Sequence, residues 1–150
     1  KTCRISKNCG VKGVVGGMFL FDTDIITHIL KKNPSKPLLK RLMLVPRTEQ
    51  YISTITVSEI VYGAAKSSRP VYHLKNLESV LLPSVNVVGF DSKAAYVCGR
   101  LRAELEKKGL VLDLADLEIA AIAIAGNFIL VTGNTKYFER VPDLKLENWL

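Results

Sequence analysis

The sequence predicts one α/β domain, a short and mostly parallel sheet of about five strands between two layers of helices. Three observations lead there. Brief apolar or β-branched runs (Phe19-Leu20-Phe21, Tyr51 to Ile55, Phe128 to Val131) alternate with longer stretches of helical periodicity. The first run stops on an acid, Asp22, at the point where a helical pattern begins, and open α/β sheets place their ligands at such points. The chain has 150 residues, 48% apolar and 23% charged, enough for one packed core and too apolar for disorder.

The elements follow in order. After the strand at 19 to 21, residues 23 to 32 carry Ile25, Ile26, Ile29 and Leu30 at helical spacing, until Asn33-Pro34-Ser35-Lys36-Pro37 breaks the pattern. A second short helix spans 38 to 45 and stops at Pro46. Tyr51 to Ile55 reads as a strand, Thr56 opens a helix to Ser67, and Arg69 to Leu82 forms another, ended by Pro83. Val85 to Phe90 is a strand. Asp91 caps a long helix whose apolar positions are Ala95, Val97, Cys98, Leu101 and Leu105, and Gly109 closes it. Asp113 starts the next helix and Gly126 ends it. A strand at 128 to 131, a tight Thr132-Gly133-Asn134 loop and a short helix at 135 to 139 follow, and Leu144 to Trp149 alternates as an edge strand.

Composition excludes several classes. The one long apolar stretch, 110 to 131, contains Asp113, Asp116, Glu118 and Asn127, so it reads as a core helix and strand rather than a membrane span. Val11 to Val15 is too short and interrupted for a signal peptide, and residues 1 to 17 read as a flexible basic extension or an expression remnant ahead of Met18. Cys3, Cys9 and Cys98 are odd in number and form no Cys-x-x-Cys, which points away from a disulfide framework or a zinc site and toward a reducing, cytoplasmic setting. Net charge is +7, and residues 1 to 50 hold ten Lys/Arg against three acids, a balance that permits a polyanionic partner.

Three acids recur in one context. Asp22 ends the first strand, Glu59 follows the second, and Asp116 lies in the first turn of the helix after Asp113. In a parallel sheet these positions share one edge, and Asn134 arrives there too. For two of them a structural role is the stronger reading. Thr56-Val57-Ser58-Glu59 fits a capping box, and Asp113 can cap the helix in which Asp116 complements the dipole. Asp24 also reads as a cap. Asp22 follows an apolar strand, where a structural Asp has no obvious task. If the three acids meet, their mutual repulsion raises at least one pKa unless a divalent cation sits among them. Oxygen ligands without His or Cys favour Mg2+ or Mn2+ over zinc.

Five segments taken together resemble the PIN-domain ribonucleases, most closely the VapC-type toxins of toxin–antitoxin pairs. They are F-L-F-D-T-D at 19 to 24, I-T-V-S-E-I-V-Y-G-A at 55 to 64, G-R-L-R-A-E-L-E-K-K-G at 99 to 109, A-D-L-E-I-A-A at 115 to 121 and V-T-G-N-T-K-Y-F-E-R-V-P at 131 to 142. The resemblance runs from Met18 to Leu150. It implies a PIN-like fold over 18 to 150 and Mg2+- or Mn2+-dependent endoribonuclease activity. It implies an acidic centre of Asp22, Glu59 and Asp116, with Asp22 and Asp116 the direct metal ligands and Thr23 and Thr132 beside them. A homodimer and a cognate antitoxin protein are implied as well. The chain departs from the family pattern in two ways: Asp24 stands where Asn is common, and the slot that often holds a fourth acid is filled by Asn134, with Tyr137 at a nearby position that is often acidic, which argues against a second firmly held metal.

Among basic residues, Lys31, Lys32, Lys36, Lys40 and Arg41 have no interleaved acids and are candidates for the RNA backbone. Arg100, Arg102, Lys107 and Lys108 read as a solvated helix face. Tyr62, Tyr96 and Phe138 read as packing residues, and neither His28 nor His73 is given a catalytic role. Two other readings stay open: a PIN-like module that binds RNA or a partner without catalysis, and a phosphatase-like hydrolase using Asp22 of Asp22-Thr23-Asp24. The second lacks the Gly-Thr that usually follows that motif, since Ile25-Ile26 stand there.

Overall fold

The computed structural model describes residues 17–150. The expected extension of residues 1 to 17 lies, apart from Gly17, outside the described residues, as do Cys3 and Cys9.

Five strands form the sheet: β1 (Phe19–Phe21), β2 (Gln50–Ser53), β3 (Asn86–Val88), β4 (Ile129–Val131) and β5 (Lys145–Glu147). Their spatial order is β3-β2-β1-β4-β5, and every pairing is parallel. Among the described residues seven α-helices accompany them: α1 (Thr23–Ile29), α2 (Lys36–Leu44), α3 (Thr54–Lys66), α4 (Pro70–Asn76), α5 (Ser92–Lys107), α6 (Leu114–Ala125) and α7 (Thr135–Phe138). The sheet is therefore wholly parallel rather than mostly so, and β5 is an edge, as its alternation predicted.

Period-two alternation divides the core. Leu20 and Leu130 point to one face and pack with Cys98, Leu101, Ile119 and Ile122 of α5 and α6. Phe19, Phe21, Ile52 and Val131 point to the other, where Ile25, Ile26, Leu38 and Trp149 cover them. All three β1 residues are buried, which accounts for an uninterrupted apolar run in place of alternation.

Local chemistry moved several boundaries. Helix α1 ends three residues early, at Ile29, and α2 starts at Lys36 with Pro37 in its first turn, where a missing N–H leaves nothing unpaired. Helix α3 starts at Thr54 because Ser53, not Thr56, is its cap: the Ser53 hydroxyl oxygen accepts the Thr56 N–H at 3.0 Å. The capping box expected at Thr56 to Glu59 is thus absent, and no acid stands in the first turn of α3. The helix expected over 69 to 82 is regular only through Asn76; a π turn at Leu77–Leu81 and a 3-10 turn containing Pro83 complete it. Leu77 and Leu81, both in the π turn, are buried in the core. Asp91 caps α5 as read, accepting the Ala94 N–H at 2.8 Å, although Ala94 rather than Ala95 is the buried alanine. Gly109, at φ +71°, ends that helix in the left-handed region.

Tyr62 and Tyr96 are 64% and 67% exposed, so the expectation that they pack in the core fails, while Phe138 is buried as expected. Each tyrosine instead lies under a cation, Lys66 and Arg100 respectively. No helix among the described residues is long and apolar enough to cross a membrane.

Candidate active site

A parallel sheet brings the carboxyl ends of its strands to one edge. Asp22 follows β1, Ser53 ends β2, and Thr132 follows β4, so three polar residues arrive there side by side. All three are buried, Asp22 to 6% exposure.

Asp22 extends the ladder, its N–H donating to the Val131 carbonyl at 3.0 Å, and then caps α1. Its Oδ1 accepts the Thr23 N–H at 2.8 Å, and its Oδ2 accepts the Thr132 hydroxyl at 2.9 Å. The acid therefore has the structural task that the sequence did not reveal. Burial, and next the charge of Asp24, push its carboxyl up from 3.8 to about 6; the bonds from Thr23 and Thr132 pull the other way.

A second polar chain runs toward α3. The hydroxyls of Ser53 and Thr23 each donate to Thr56 Oγ1 at 3.2 Å. Burial raises the Glu59 pKa, the Thr23 hydrogen bond lowers it, and the charges of Asp116 and Asp113 raise it. Since Ser53 caps α3, Glu59 is not spent on its own helix start.

Asp113 occupies the cap position of α6 but makes no capping bond with its side chain. Its N–H is taken by the Tyr137 hydroxyl at 2.9 Å. Asp116, in the first turn of α6, is pushed up by burial and by the charge of Asp113, while a Tyr137 hydrogen bond favours its ionised form. Tyr137 was noted at a position that the family often fills with an acid but was given no site role; its partner Asp113 lies 24 positions away, and no local pattern marks the contact.

The loop after β4 clasps the edge. The Thr132 hydroxyl donates to Asp22 and accepts the Asn134 N–H at 3.1 Å. The Gly133 N–H donates to Asp24 Oδ2 at 2.8 Å. A Cβ on Gly133 would sit 2.6 Å from Leu150 Cδ1 and 2.9 Å from that same oxygen, so only glycine passes here undisturbed. Asp24 thus anchors a neighbouring loop, while the cap of α1 is Asp22.

Asp22, Asp24, Glu59, Asp116 and Asn134 line one cleft of about 430 Å³, with Lys31 and His28 at its wall. The three expected acids do converge, and Asn134 joins them. Thr23 lines the cleft and Thr132 lies beneath Asp22. Lys32, Lys36 and Lys40 are exposed but stand outside the cleft. Arg41 is committed elsewhere: it pairs with Glu147 at 2.6 Å and lies 4.9 Å over the Trp149 ring, which ties α2 to the end of β5. Arg41 thus braces α2 against β5 outside the cleft, with part of its guanidinium still exposed.

Among the described residues no three His, Cys, Asp or Glu side chains form a ready-made cage around one point. The donor set nevertheless fits a hard divalent cation. It consists of carboxylates, an amide and hydroxyls with no thiolate, and Asp24 Oδ1 is buried with no hydrogen-bond partner. Asp22, Glu59 and Asp116 all have raised pKa values, pushed up first by burial and further by neighbouring carboxylates.

A model of the PIN domain matches residues 19–144. The chain belongs to the PIN domain family. This PIN domain is similar to ribonuclease VapC2 of Rickettsia felis, 36% identical over 132 residues that cover 88% of this chain and 98% of that one. It is similar to the tRNA(fMet)-specific endonuclease VapC of Shigella flexneri, 34% identical over 131 residues, 87% of this chain and 97% of that one. Among solved structures it resembles VapBC2 from Rickettsia felis bound to a DNA fragment from their promoter, with a TM-score of 0.82 at 36% identity over 89% of this chain and 99% of that one. DNA-bound VapBC from Salmonella typhimurium gives a TM-score of 0.80 at 33% identity over 90% of this chain and all of that one. Membership in the PIN family leaves the phosphatase-like reading without support.

Proposed function

We propose that this PIN domain is a metal-dependent endoribonuclease, the toxin of a VapBC-like toxin–antitoxin pair. The observation that carries the reading is the convergence of Asp22, Glu59 and Asp116 on one cleft at the carboxyl edge of the sheet. Relatives at 34 to 36% identity that bear the names ribonuclease and endonuclease support the reaction class. Neighbouring structures of VapBC complexes support a cognate antitoxin as partner. A homodimer and a cytoplasmic location complete the proposal, the latter in keeping with the free, buried thiol of Cys98.

Asp22 and Asp116 would hold Mg2+ or Mn2+. The Thr23 N–H and Thr132 hydroxyl fix the Asp22 carboxylate, and Tyr137 favours charge on Asp116. When bound, such an ion acidifies a water and neutralises charge on the phosphoryl group. Glu59, with its raised affinity for a proton, positions that water or accepts its proton. Lys31 draws the RNA backbone toward the cleft. Asn134 offers an amide and no charge, so the residues present would hold one ion firmly, and a second would need a substrate phosphate among its ligands.

The test has two parts. Asp22→Asn and Asp116→Asn should each abolish RNA cleavage while circular dichroism stays native; cleavage that survives in both variants ends the assignment. Calorimetric titration of RNA-free protein with Mn2+ should give one tight site. RNA binding without turnover under varied Mg2+ and Mn2+ would favour the non-catalytic module instead.

A further inference from the structure

We propose that Asp24 is the fourth carboxylate of the cleft and a ligand to its cation, supplying from α1 the charge that Asn134 lacks. The inference rests on the reading of the cleft as a metal site and adds a residue to it.

Asp24 does not cap its own helix, since Asp22 holds that position. One oxygen, Oδ2, accepts the Gly133 N–H; the other, Oδ1, is buried and has no partner. A buried carboxylate oxygen without a partner is costly, and native proteins keep few of them. Nearby donors are already engaged: the Thr23 N–H and the Thr132 hydroxyl serve Asp22, and the Asn134 N–H serves Thr132.

The anchoring of Gly133 does not explain an acid at this position. The carbonyl of an asparagine would accept the same N–H without adding charge. A carboxylate instead adds a like charge to the cleft that Asp22, Glu59 and Asp116 also line. It is therefore unfavourable in the empty cleft and becomes favourable when a cation enters. Glu49 Oε2 is the other unpartnered buried oxygen among the described residues, and it lies outside the cleft. Of these two residues, Asp24 is the one that lines the acidic cleft.

The experiment uses the full chain, stripped with EDTA and free of RNA. Mn2+ affinity is measured by calorimetry, and melting temperature with and without Mn2+, for wild type, Asp24→Asn and Asp24→Asn with Asn134→Asp. Asp24→Asn keeps the acceptor for Gly133. It should melt higher than wild type without metal, bind Mn2+ at least tenfold more weakly, and lose most of the Mn2+-induced rise in melting temperature. The double variant should recover the affinity. Equal Mn2+ affinity and an equal rise in Asp24→Asn would overturn the proposal and leave Asp24 as a loop anchor. Weak binding that the double variant fails to restore would overturn it too, by tracing the loss to a disturbed Gly133 loop. Absence of Mn2+ binding in wild type would instead remove the metal-site reading itself.

Discussion

The hydroxyl of Thr132 donates to Asp22 Oδ2 at 2.9 Å, joining two buried residues 110 positions apart. The contact follows from register: Phe21 lies opposite Val131 in the parallel β1–β4 pair, so the next residue of each strand meets its neighbour at the sheet edge. The bond makes a buried carboxylate tolerable at the point where the cleft opens.

Thr132→Val removes that donor while keeping the side chain's shape. It also takes the acceptor from the Asn134 N–H. Loss of about 1–3 kcal/mol of stability is expected, because a buried charged acceptor is left short of a partner. The Asp22 pKa should climb further. Urea denaturation at neutral pH and carboxyl NMR titration check both; unchanged stability would mean the bond contributes nothing.

The metal-free protein should lose stability as pH rises. The folded Asp22 carboxyl sits at about 6 against an ordinary 3.8, so between those values the native state holds a proton that the unfolded chain has released. Its contribution is fully present below the unfolded pKa and gone above the folded one. The whole effect is about 3 kcal/mol, of which roughly 1 kcal/mol falls between pH 5 and pH 7. Glu59 and Asp116 shift in the same direction. Denaturation in EDTA should show wild type weaker at the higher pH and Asp22→Asn with a shallower slope. An identical slope in the variant would remove Asp22 from the account.

Lys31 and Arg41 should separate in function. Lys31→Ala should weaken RNA binding and lower the slope of log affinity against log salt by ~0.7, the value for one lost contact on a single strand. Arg41→Ala should leave that slope alone and cost about 1 kcal/mol or less, since its pair with Glu147 is partly exposed. Filter binding across a salt series, with thermal melts, reads both.

Much of the fold could be read from local pattern. The apolar run at β1, the Asp91 cap and the Gly109 stop are short-range signals, and they lie where the pattern placed them. The cap of α3 was misread by three residues because Ser53, Thr56 and Glu59 offer equivalent spacings, and the competition was settled by which hydroxyl the turn presents to the free N–H of Thr56. The brace made by Arg41 was not legible because its partners, Glu147 and Trp149, lie more than a hundred residues away.

Hydrophobic period and strand-end chemistry, both properties of neighbouring residues, were enough to establish a mostly parallel α/β sheet and to single out Asp22, while the acidic centre of Asp22, Glu59 and Asp116 was implied by the resemblance of five segments to a known family. The roles of Asp24, Tyr137 and Arg41 were settled by contacts between distant segments. Whether an acid is a cap, an anchor or an unpaired charge depends on the donors left free beside it, and those donors arrive only when β1, β4 and α6 pack together.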